Sequence, residues 1–277
     1  MPTVRLTDRA LVVIGGADAE HFLQNLVTTD LDQLSNDELK PGALLTPQGK
    51  ILFDFLVSQR TDGSLQLDVR ADIADDLMKR LGLYKLRAKV EISKRQSVVA
   101  TIDWSHDSGS PEAASADGAT WYADTRFREL SVRRSYDSSL EATDEPESWT
   151  ALRIENGIAE SGSDDALGDA FPHDVLLDQT GGVGLHKGCY VGQEVVSRMQ
   201  HRGLVRKRVV RVALEGAASP GAEIRAGEIA IGVLGGASGG QGLATVRLDR
   251  LDDAKGAPLA AGAARIDVLD REPSGSR

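Results

Sequence analysis

Cysteine is almost absent from this chain. Cys189 is the only one among 277 residues, so no disulfide can form within the chain, and a single thiol fits a reducing compartment. A structural zinc site needs four ligands at regular spacing. One cysteine and two scattered histidines nearby, His173 and His186, do not provide them. The sequence therefore predicts neither a disulfide scaffold nor a zinc site.

Long apolar runs and an excess of positive charge are also missing. No apolar run is long enough to span a membrane, and residues 1–5 lack the charged-then-apolar pattern of a signal peptide, so we expect a cytoplasmic protein without a membrane partner. The net charge is −10, which argues against nucleic-acid binding by the surface as a whole. Any RNA contact would need a local basic patch.

The hydrophobic pattern that is present predicts an α+β protein. Short apolar segments alternate with segments of helical spacing, as expected for helices packed on an antiparallel sheet. After Gly203, short strands separated by Gly, Ala and Pro predict a small β-barrel. We therefore expect a region 1–202, with a polar linker near 105–118 that contains an exposed His106, and a barrel domain 203–277 with a disordered tail after Asp270. Strands are expected at 10–14, 43–45, 51–57 and 65–69, and helices at 19–27, 72–83 and from about 144 to 157.

The single cysteine lies in an unusual stretch, K-G-C-Y-V-G-Q-E, at residues 187–194. A thiol becomes a good nucleophile or metal ligand only as thiolate, and nearby cations or a helix N-terminus favour that form. Lys187 precedes Cys189, Arg198 follows it, and residues 194–199 read as helical. The alternative is a buried, inert cysteine in a glycine-rich turn. The chemistry of the residues alone leaves both interpretations open.

This stretch resembles the signature of the YgfZ family, whose fold is similar to the aminomethyltransferase (T-protein) of the glycine cleavage system. Two further segments resemble landmarks of both families, in the same order: F-L-Q-N-L-V-T-T-D at 22–30 and W-x-x-x-R-I-E-x-G at 149–157. The resemblance implies a T-protein-like fold, in which two interleaved α+β subdomains enclose a folate cavity and a β-barrel follows.

Three side chains are candidate folate ligands by this resemblance. Glu155 matches the T-protein acid that binds the pterin, since a carboxylate can accept hydrogen bonds from the ring N–H and amino groups. Trp149 offers an indole that can stack on the pterin ring. Asp54 lies in an apolar strand, where a carboxylate is costly unless it is paired or faces a cavity. T-proteins have an acid in a similar strand, but the YgfZ pattern does not require one. A solvent-facing Asp54, a core Trp149 and an exposed Glu155 remain the alternatives.

The resemblance implies a tetrahydrofolate-binding accessory protein, rather than an enzyme, that supports iron–sulfur cluster assembly or repair and thereby tRNA modification. Cys189 is then the functional thiol, and its partners are folate and iron–sulfur client or assembly proteins. A cluster usually needs four ligands, so one cysteine would need a partner or a second copy of the chain. Within the motif we expect Lys187 and Arg198 to stabilise the thiolate, Gly188 and Gly192 to shape the loop, and Tyr190, Gln193 and Glu194 to hold its conformation.

Two other functions stay open. In the first, the protein is a folate-dependent aminomethyl transferase that uses Asp54 and Glu155, and Cys189 is structural. In the second, a basic cluster binds RNA, although we favour a solvated strand face for it. Its members are Arg202, Arg206, Lys207, Arg208 and Arg211.

Overall fold

A computed structural model describes residues 1–95, 98–105, 119–137, 139–203 and 205–270 of the chain. The predicted linker, apart from Ser105, and the predicted disordered tail lie outside the described residues, as does His106.

The chain forms two compact units, and each is made of segments that are distant in sequence. The first consists of Met1–Gln48, Leu52–Pro146 and Thr180–Gln193, and the second of Gly49–Ile51, Glu147–Gln179 and Glu194–Arg277. The domain boundary expected near residue 203 stays a prediction.

The first unit is built on a nine-stranded sheet with the order β1-β7-β9-β8-β3-β4-β5-β2-β6. Strand β3 pairs with β8 in parallel, whereas β1–β7, β7–β9, β8–β9, β4–β5, β2–β5 and β2–β6 are antiparallel. The predicted antiparallel character therefore holds for those six pairings and fails at β3–β8. The strands are β1 Thr3–Leu6, β2 Arg9–Gly15, β3 Glu38–Leu45, β4 Ile51–Gln59, β5 Leu65–Arg70, β6 Glu91–Lys94, β7 Ala100–Ser105, β8 Trp121–Asp124 and β9 Ser131–Ser135.

Two helices of the first unit cover one face of this sheet. Helix α1 is Ala19–Gln24 and helix α2 is Ala74–Lys85. Leu77 and Leu81, four residues apart on α2, are fully buried in one cluster with Leu23 of α1. Helix α1 ends before the predicted Val27, because Val27 instead pairs with Leu44 in an isolated antiparallel bridge. Short 3-10 turns lie at Leu31–Gln33 and Ala71–Ile73.

Buried charges also hold the first unit together. Asp68 on β5 has a side chain with no exposure, and it accepts hydrogen bonds from Arg9 Nε (2.6 Å), Arg134 Nη1 (3.0 Å) and the Tyr136 hydroxyl (2.9 Å). Arg134 Nε also donates to Asp124 Oδ2 at 3.2 Å. Each buried carboxylate is thus compensated by cations and hydrogen bonds, as burial of charge requires.

The second unit contains a closed six-stranded barrel with the order β10-β13-β12-β11-β14-β15. Its apolar interior includes Val212, Ile224, Leu234, Val246 and Ile266. The predicted barrel is therefore present, although β14 and helix α5 were not predicted. The elements are α3 Pro146–Glu155, α4 Gln193–Arg202, β10 Lys207–Glu215, β11 Glu223–Ala226, β12 Ile229–Ser238, β13 Gln241–Arg247, α5 Leu248–Asp253, β14 Leu259–Ala261 and β15 Ala264–Asp270.

Helix α3 is attached to the barrel by packing and by an ion pair. Ile154 of α3 is buried in one cluster with Val209 and Leu243 of the barrel strands. Arg153 Nη1 donates to Asp164 Oδ2 at 2.8 Å, and Asp164 Oδ1 accepts from the Gly236 amide at 2.8 Å. This arrangement fixes the helix that carries Trp149 and Glu155.

Among the described residues, no helix has both the length and the apolar character needed to cross a bilayer.

Candidate functional site

Lys187 is a buried anchor of the motif that surrounds Cys189. Its ammonium donates to the carbonyl oxygens of Val27 (2.9 Å) and Thr29 (2.5 Å). It also lies 5.3 Å from the centroid of the Tyr190 ring, within the range of a cation–π contact. Burial lowers the pKa of Lys187 to about 8, although the carboxylates of Asp30 and Asp32 act to raise it.

The loop before the motif is hydrogen-bonded to Thr28, which lies between the two residues whose carbonyls accept from Lys187. The Thr28 hydroxyl donates to the Gly182 carbonyl at 2.6 Å, and the Gly184 amide donates to the Thr28 carbonyl at 2.7 Å. A Cβ on Gly184 would lie 2.7 Å from Lys187 Cδ and 2.9 Å from Asp30 Cβ. Only glycine at position 184 therefore leaves room for the aliphatic part of the Lys187 side chain.

The same segment is fixed from its other side by β3. The Thr29 hydroxyl donates to the Pro41 carbonyl at 2.7 Å, and the Ala43 amide donates to the Thr28 hydroxyl at 2.9 Å. Both threonines are fully buried. We call residues 27–30, 182–184 and 187 the clamp, because they hold the segment that leads to Cys189.

Tyr190 and Gly192 shape the chain after the cysteine. Tyr190 is buried, and burial raises the pKa of its phenol to about 12. Gly192 has φ +80°, a left-handed conformation that favours glycine. The Gln193 amide donates to the Tyr190 carbonyl at 3.3 Å, and Gln193 begins α4. The chain thus turns between Tyr190 and the helix start.

Cys189 lies between these two buried anchors, and its side chain is exposed. Gly188 is exposed as well, and a Cβ added there would meet no atom within 4 Å. The alternative of a buried, inert cysteine is therefore not what the structure shows. An exposed thiol on a fixed backbone can coordinate a metal ion or react without unfolding of the loop.

The last two motif residues belong to the second compact unit. Glu194 and Arg198 are both exposed on α4. Within the described part of the chain, neither side chain forms an ion pair or a hydrogen bond. Their predicted effects on the thiolate and on the loop stay predictions.

Asp54 is half-buried on β4 of the first unit, between the buried Phe53 and Phe55. It has an interaction partner, so it is not an isolated carboxylate in an apolar strand. Its role toward a ligand stays a prediction.

Trp149 and Glu155 share helix α3 but not a face. Six residues at 100° each place them about 120° apart around the helix axis. Trp149 is 2% exposed, whereas Glu155 is exposed. The Glu155 backbone carbonyl accepts from Arg211 at 2.5 Å. The burial of Trp149 favours the core interpretation of that side chain, and the ligand role of Glu155 stays a prediction.

The basic cluster on α4 and β10 is largely neutralised. Arg208 forms a two-bonded pair with Asp178 at 2.8 and 3.0 Å, Arg211 pairs with Asp270 at 2.5 Å, and Lys207 lies 3.6 Å from Asp169. Arg202 and Arg206 are exposed. These pairs fit a solvated strand face better than a nucleic-acid surface.

No group of three or more His, Cys, Asp or Glu side chains with metal-binding geometry occurs within the residues that the structure describes.

Sequence reasoning missed the clamp. Thr28 and Thr29 lie in the first resembling segment, residues 22–30, but the sequence does not show what they contact. The signal that pointed to them was polar: two adjacent threonines at the end of an amphipathic helix. Pro41 and Ala43 are near them in sequence, but Gly182 lies about 150 residues later, and sequence separation of that size hides the pairing.

Comparison with known proteins begins with the barrel. Residues 206–272 match the family profile of the CAF17 C-terminal beta-barrel domain. Among solved structures, the glycine cleavage system aminomethyltransferase T from Bartonella henselae superposes with a TM-score of 0.70, at 14% identity, over 100% of this chain and 87% of the other. The chain therefore has the predicted T-protein-like α+β fold with a C-terminal β-barrel.

Sequence comparison gives a second result. The chain is similar to proteins named iron–sulfur cluster assembly factor IBA57 homolog, mitochondrial. The relative from Chaetomium globosum is 32% identical over 74% of this chain and 54% of its own length. Those from Pyricularia oryzae and Neurospora crassa are each 33% identical, over 74% and 77% of this chain and 55% and 54% of their own lengths. The chain thus spans little more than half the length of these relatives.

These results refine one expectation and overturn another. The relatives are named iron–sulfur cluster assembly factors, whereas membership of the YgfZ family itself stays a prediction. The expected cytoplasmic location is wrong, because the relatives are named mitochondrial. The absence of a signal pattern in residues 1–5 was too weak an observation to locate the protein.

Proposed function

We propose that this protein is a tetrahydrofolate-binding accessory factor in iron–sulfur cluster assembly or repair, with Cys189 as its functional thiol. The similarity to IBA57 homologs named as assembly factors supports the cluster role. Any effect on tRNA modification follows indirectly, through cluster-dependent enzymes.

The observation that carries this proposal is the exposed thiol held between two buried side chains. Lys187 and Tyr190 flank Cys189 and are both buried, while the cysteine faces solvent. A residue with only a structural role has no need of an exposed sulfur on a segment clamped in this way. The arrangement suits brief coordination of one iron atom after the thiol releases its proton to solvent.

Because the chain supplies too few ligands to hold a cluster by itself, a cluster would be cargo that the protein passes on and not a permanently bound group. Clusters usually take four ligands, and the chain has one cysteine. The remaining ligands must come from a partner protein, from a second copy of this chain, or from small thiols. Cys189 therefore acts while a cluster passes between proteins.

Folate binding is the second part of the proposal. A pterin presents N–H donors that need carboxylate acceptors, and reduced folate carries one-carbon units when bound. The Glu155 carboxylate is exposed at the end of a fixed helix and is available as an acceptor. Asp54 supplies a half-buried carboxylate in the first unit. Trp149 fits less well, since a ring 2% exposed has almost no face for stacking.

We also propose that residues 203–277 form a separate domain. The closed barrel β10–β15 and the family match over residues 206–272 both support this boundary.

The cluster role is tested by rescue in cells that lack the protein. The readout is the activity of a [4Fe–4S] enzyme such as aconitase, with wild type, Cys189→Ser and Arg80→Gln supplied at equal levels. Arg80 is exposed on α2 and is the matched control. We expect rescue by wild type and by the control but not by Cys189→Ser. Full rescue by Cys189→Ser would leave the thiol without its proposed role.

Folate binding is tested separately by titration of tetrahydrofolate against the wild type, followed by tryptophan fluorescence. Glu155→Ala should weaken binding, and Glu147→Ala, an exposed glutamate in the first turn of the same helix, should not. If the wild type gives no saturable change in fluorescence, the folate claim is refuted and the cluster role is left untouched.

The aminomethyl transferase remains the competing function, because the solved structure with this fold is named an aminomethyltransferase. At 14% identity that likeness concerns the fold only. One-carbon turnover that survives Cys189→Ser and is lost in Glu155→Ala would favour the transferase.

A further inference from the structure

The first compact unit has a polar pocket that none of the proposed functional residues lines. Its volume is about 390 Å³, and its walls include Arg60, Gln66, Arg95, Tyr122, Ser135 and Tyr136. A volume of this order lies in the range of sites for small molecules. The pocket therefore has the size to hold a metabolite and is independent of Cys189.

The floor of the pocket is held in place from behind. Gln66 is buried and donates through Nε2 to Ser58 Oγ at 2.8 Å. Tyr136 is buried and donates to Asp68 Oδ2 at 2.9 Å, so its hydroxyl belongs to the charge network of the sheet. The Tyr122 and Tyr136 rings pack 6.2 Å apart at 45°. The floor keeps its shape without a ligand, which lowers the entropic cost of binding one.

Two guanidinium groups give the walls a positive charge. Arg60 is partly compensated, since its Nη1 lies 3.1 Å from Asp62 Oδ2 and 3.3 Å from Ser64 Oγ. Arg95 is exposed, and among the described residues no carboxylate lies within ion-pair distance of it. Arg95 is therefore the cation that remains available to a ligand.

The acidic side chain in the wall is already engaged. Asp137 is the carboxylate among the lining residues, and its Oδ1 accepts from the Ser139 amide at 3.0 Å and the Ser139 hydroxyl at 2.9 Å. These bonds lower the pKa of Asp137, and the positive charge of Arg95 lowers it further. The lining thus carries two guanidinium groups and one carboxylate, and that carboxylate is hydrogen-bonded to Ser139 and feels the charge of Arg95 without forming an ion pair with it.

We propose that this pocket binds a small anion with a carboxylate or phosphate group, and that Arg95 is its main charge partner. A guanidinium offers a planar fork of donors that matches both groups. The tyrosines and Gln66 supply a shaped floor. Binding here does not depend on the folate or cluster role proposed above.

The test is calorimetric titration of the full chain with inorganic phosphate and, separately, with glutarate, at constant ionic strength. We expect saturable binding of at least one probe. Binding of phosphate alone would point to ligands with a phosphate group, and binding of glutarate alone would point to carboxylates. Binding of either probe or of both supports the site. Arg95→Gln should weaken binding by about tenfold or more, because it removes a charge-assisted pair.

The matched control is Arg80→Gln, which removes an exposed arginine of the same unit outside the pocket. It should leave the affinity unchanged. Arg60→Gln provides a second pocket variant and should also weaken binding. The proposal is overturned if neither probe binds wild type, or if the pocket variants and the control change the affinity equally.

Discussion

At the scale of single residues, Lys187 is an ionisable group placed in a buried position. Its ammonium bonds two backbone carbonyls and faces an aromatic ring, and no carboxylate of the described residues lies within ion-pair distance of it. Burial therefore disfavours the charged form and lowers its pKa to about 8. The protein keeps this lysine because its reach fixes the backbone next to Cys189.

The depressed pKa predicts a dependence of stability on pH. Lys187 has a folded pKa of about 8 and an ordinary value of 10.5, so between these values the unfolded chain binds more protons and stability rises with pH. The unfolding free energy of wild type relative to Lys187→Met should rise from pH 8 to pH 10, by at most about 1.4 kcal/mol per pH unit. Urea unfolding at several pH values measures it.

The control for this effect is Lys79→Met, which removes a lysine whose side chain is 76% exposed. The unfolding free energy of wild type relative to Lys79→Met should not rise in this way between pH 8 and pH 10. If the difference in unfolding free energy between wild type and Lys187→Met does not change with pH, Lys187 is not buried as a cation.

Gly184 offers a steric test of the clamp. A methyl group there would lie 2.7 Å from Lys187 Cδ and 2.9 Å from Asp30 Cβ, closer than atoms can pack. Gly184→Ala should lower the free energy of unfolding by about 1–3 kcal/mol. Gly82→Ala, in helix α2 with open space around the new methyl, should raise it by about 0.5–1 kcal/mol. Equal stability of Gly184→Ala and wild type would show that the lysine chain can move aside.

At the scale of elements, Asp68 connects the strands of the first unit. Its carboxylate accepts from Arg9 on β2 and Arg134 on β9, and also from Tyr136. Asp68→Ala would leave the buried Arg134 without this partner, and it should lower the free energy of unfolding by about 3–5 kcal/mol.

The matched control for Asp68 is Asp72→Ala. Asp72 pairs with Arg70 at 2.6 Å but is 62% exposed, so its loss should change stability by less than about 1 kcal/mol. Thermal or urea unfolding compares the two variants. Similar effects in both would show that the buried network adds no more than a surface pair.

Local patterns predicted many of the elements. Leu77 and Leu81 identified α2 by their spacing, and Gly157, with φ +68°, lies just after the end of α3. The parallel pairing of β3 with β8 was not predictable, because Glu38 meets Ala123 across a long stretch of sequence. Local pattern also placed Trp149 and Glu155 on one helix but did not show that one is buried and the other exposed.

At the scale of the whole molecule, the resemblance carried by three motifs predicted the fold correctly. The chain's likeness to the aminomethyltransferase extends over its full length at 14% identity, so few individual residues determine it. The two interleaved subdomains that the resemblance implies within residues 1–202 stay a prediction. The anion pocket had no sequence signal, since Arg60, Arg95 and Tyr122 come from separate segments that the sheet brings together.

The central claim is that the Cys189 thiol takes part in cluster delivery, and anaerobic reconstitution tests it most directly. A protein carrying a labile iron–sulfur cluster is mixed with an inactive [4Fe–4S] enzyme and with wild type, Cys189→Ser or Arg80→Gln, and the recovered enzyme activity is measured. We predict that wild type and Arg80→Gln increase the yield of active enzyme and that Cys189→Ser gives no more than the reaction without added protein. An equal yield with Cys189→Ser and wild type would contradict the account.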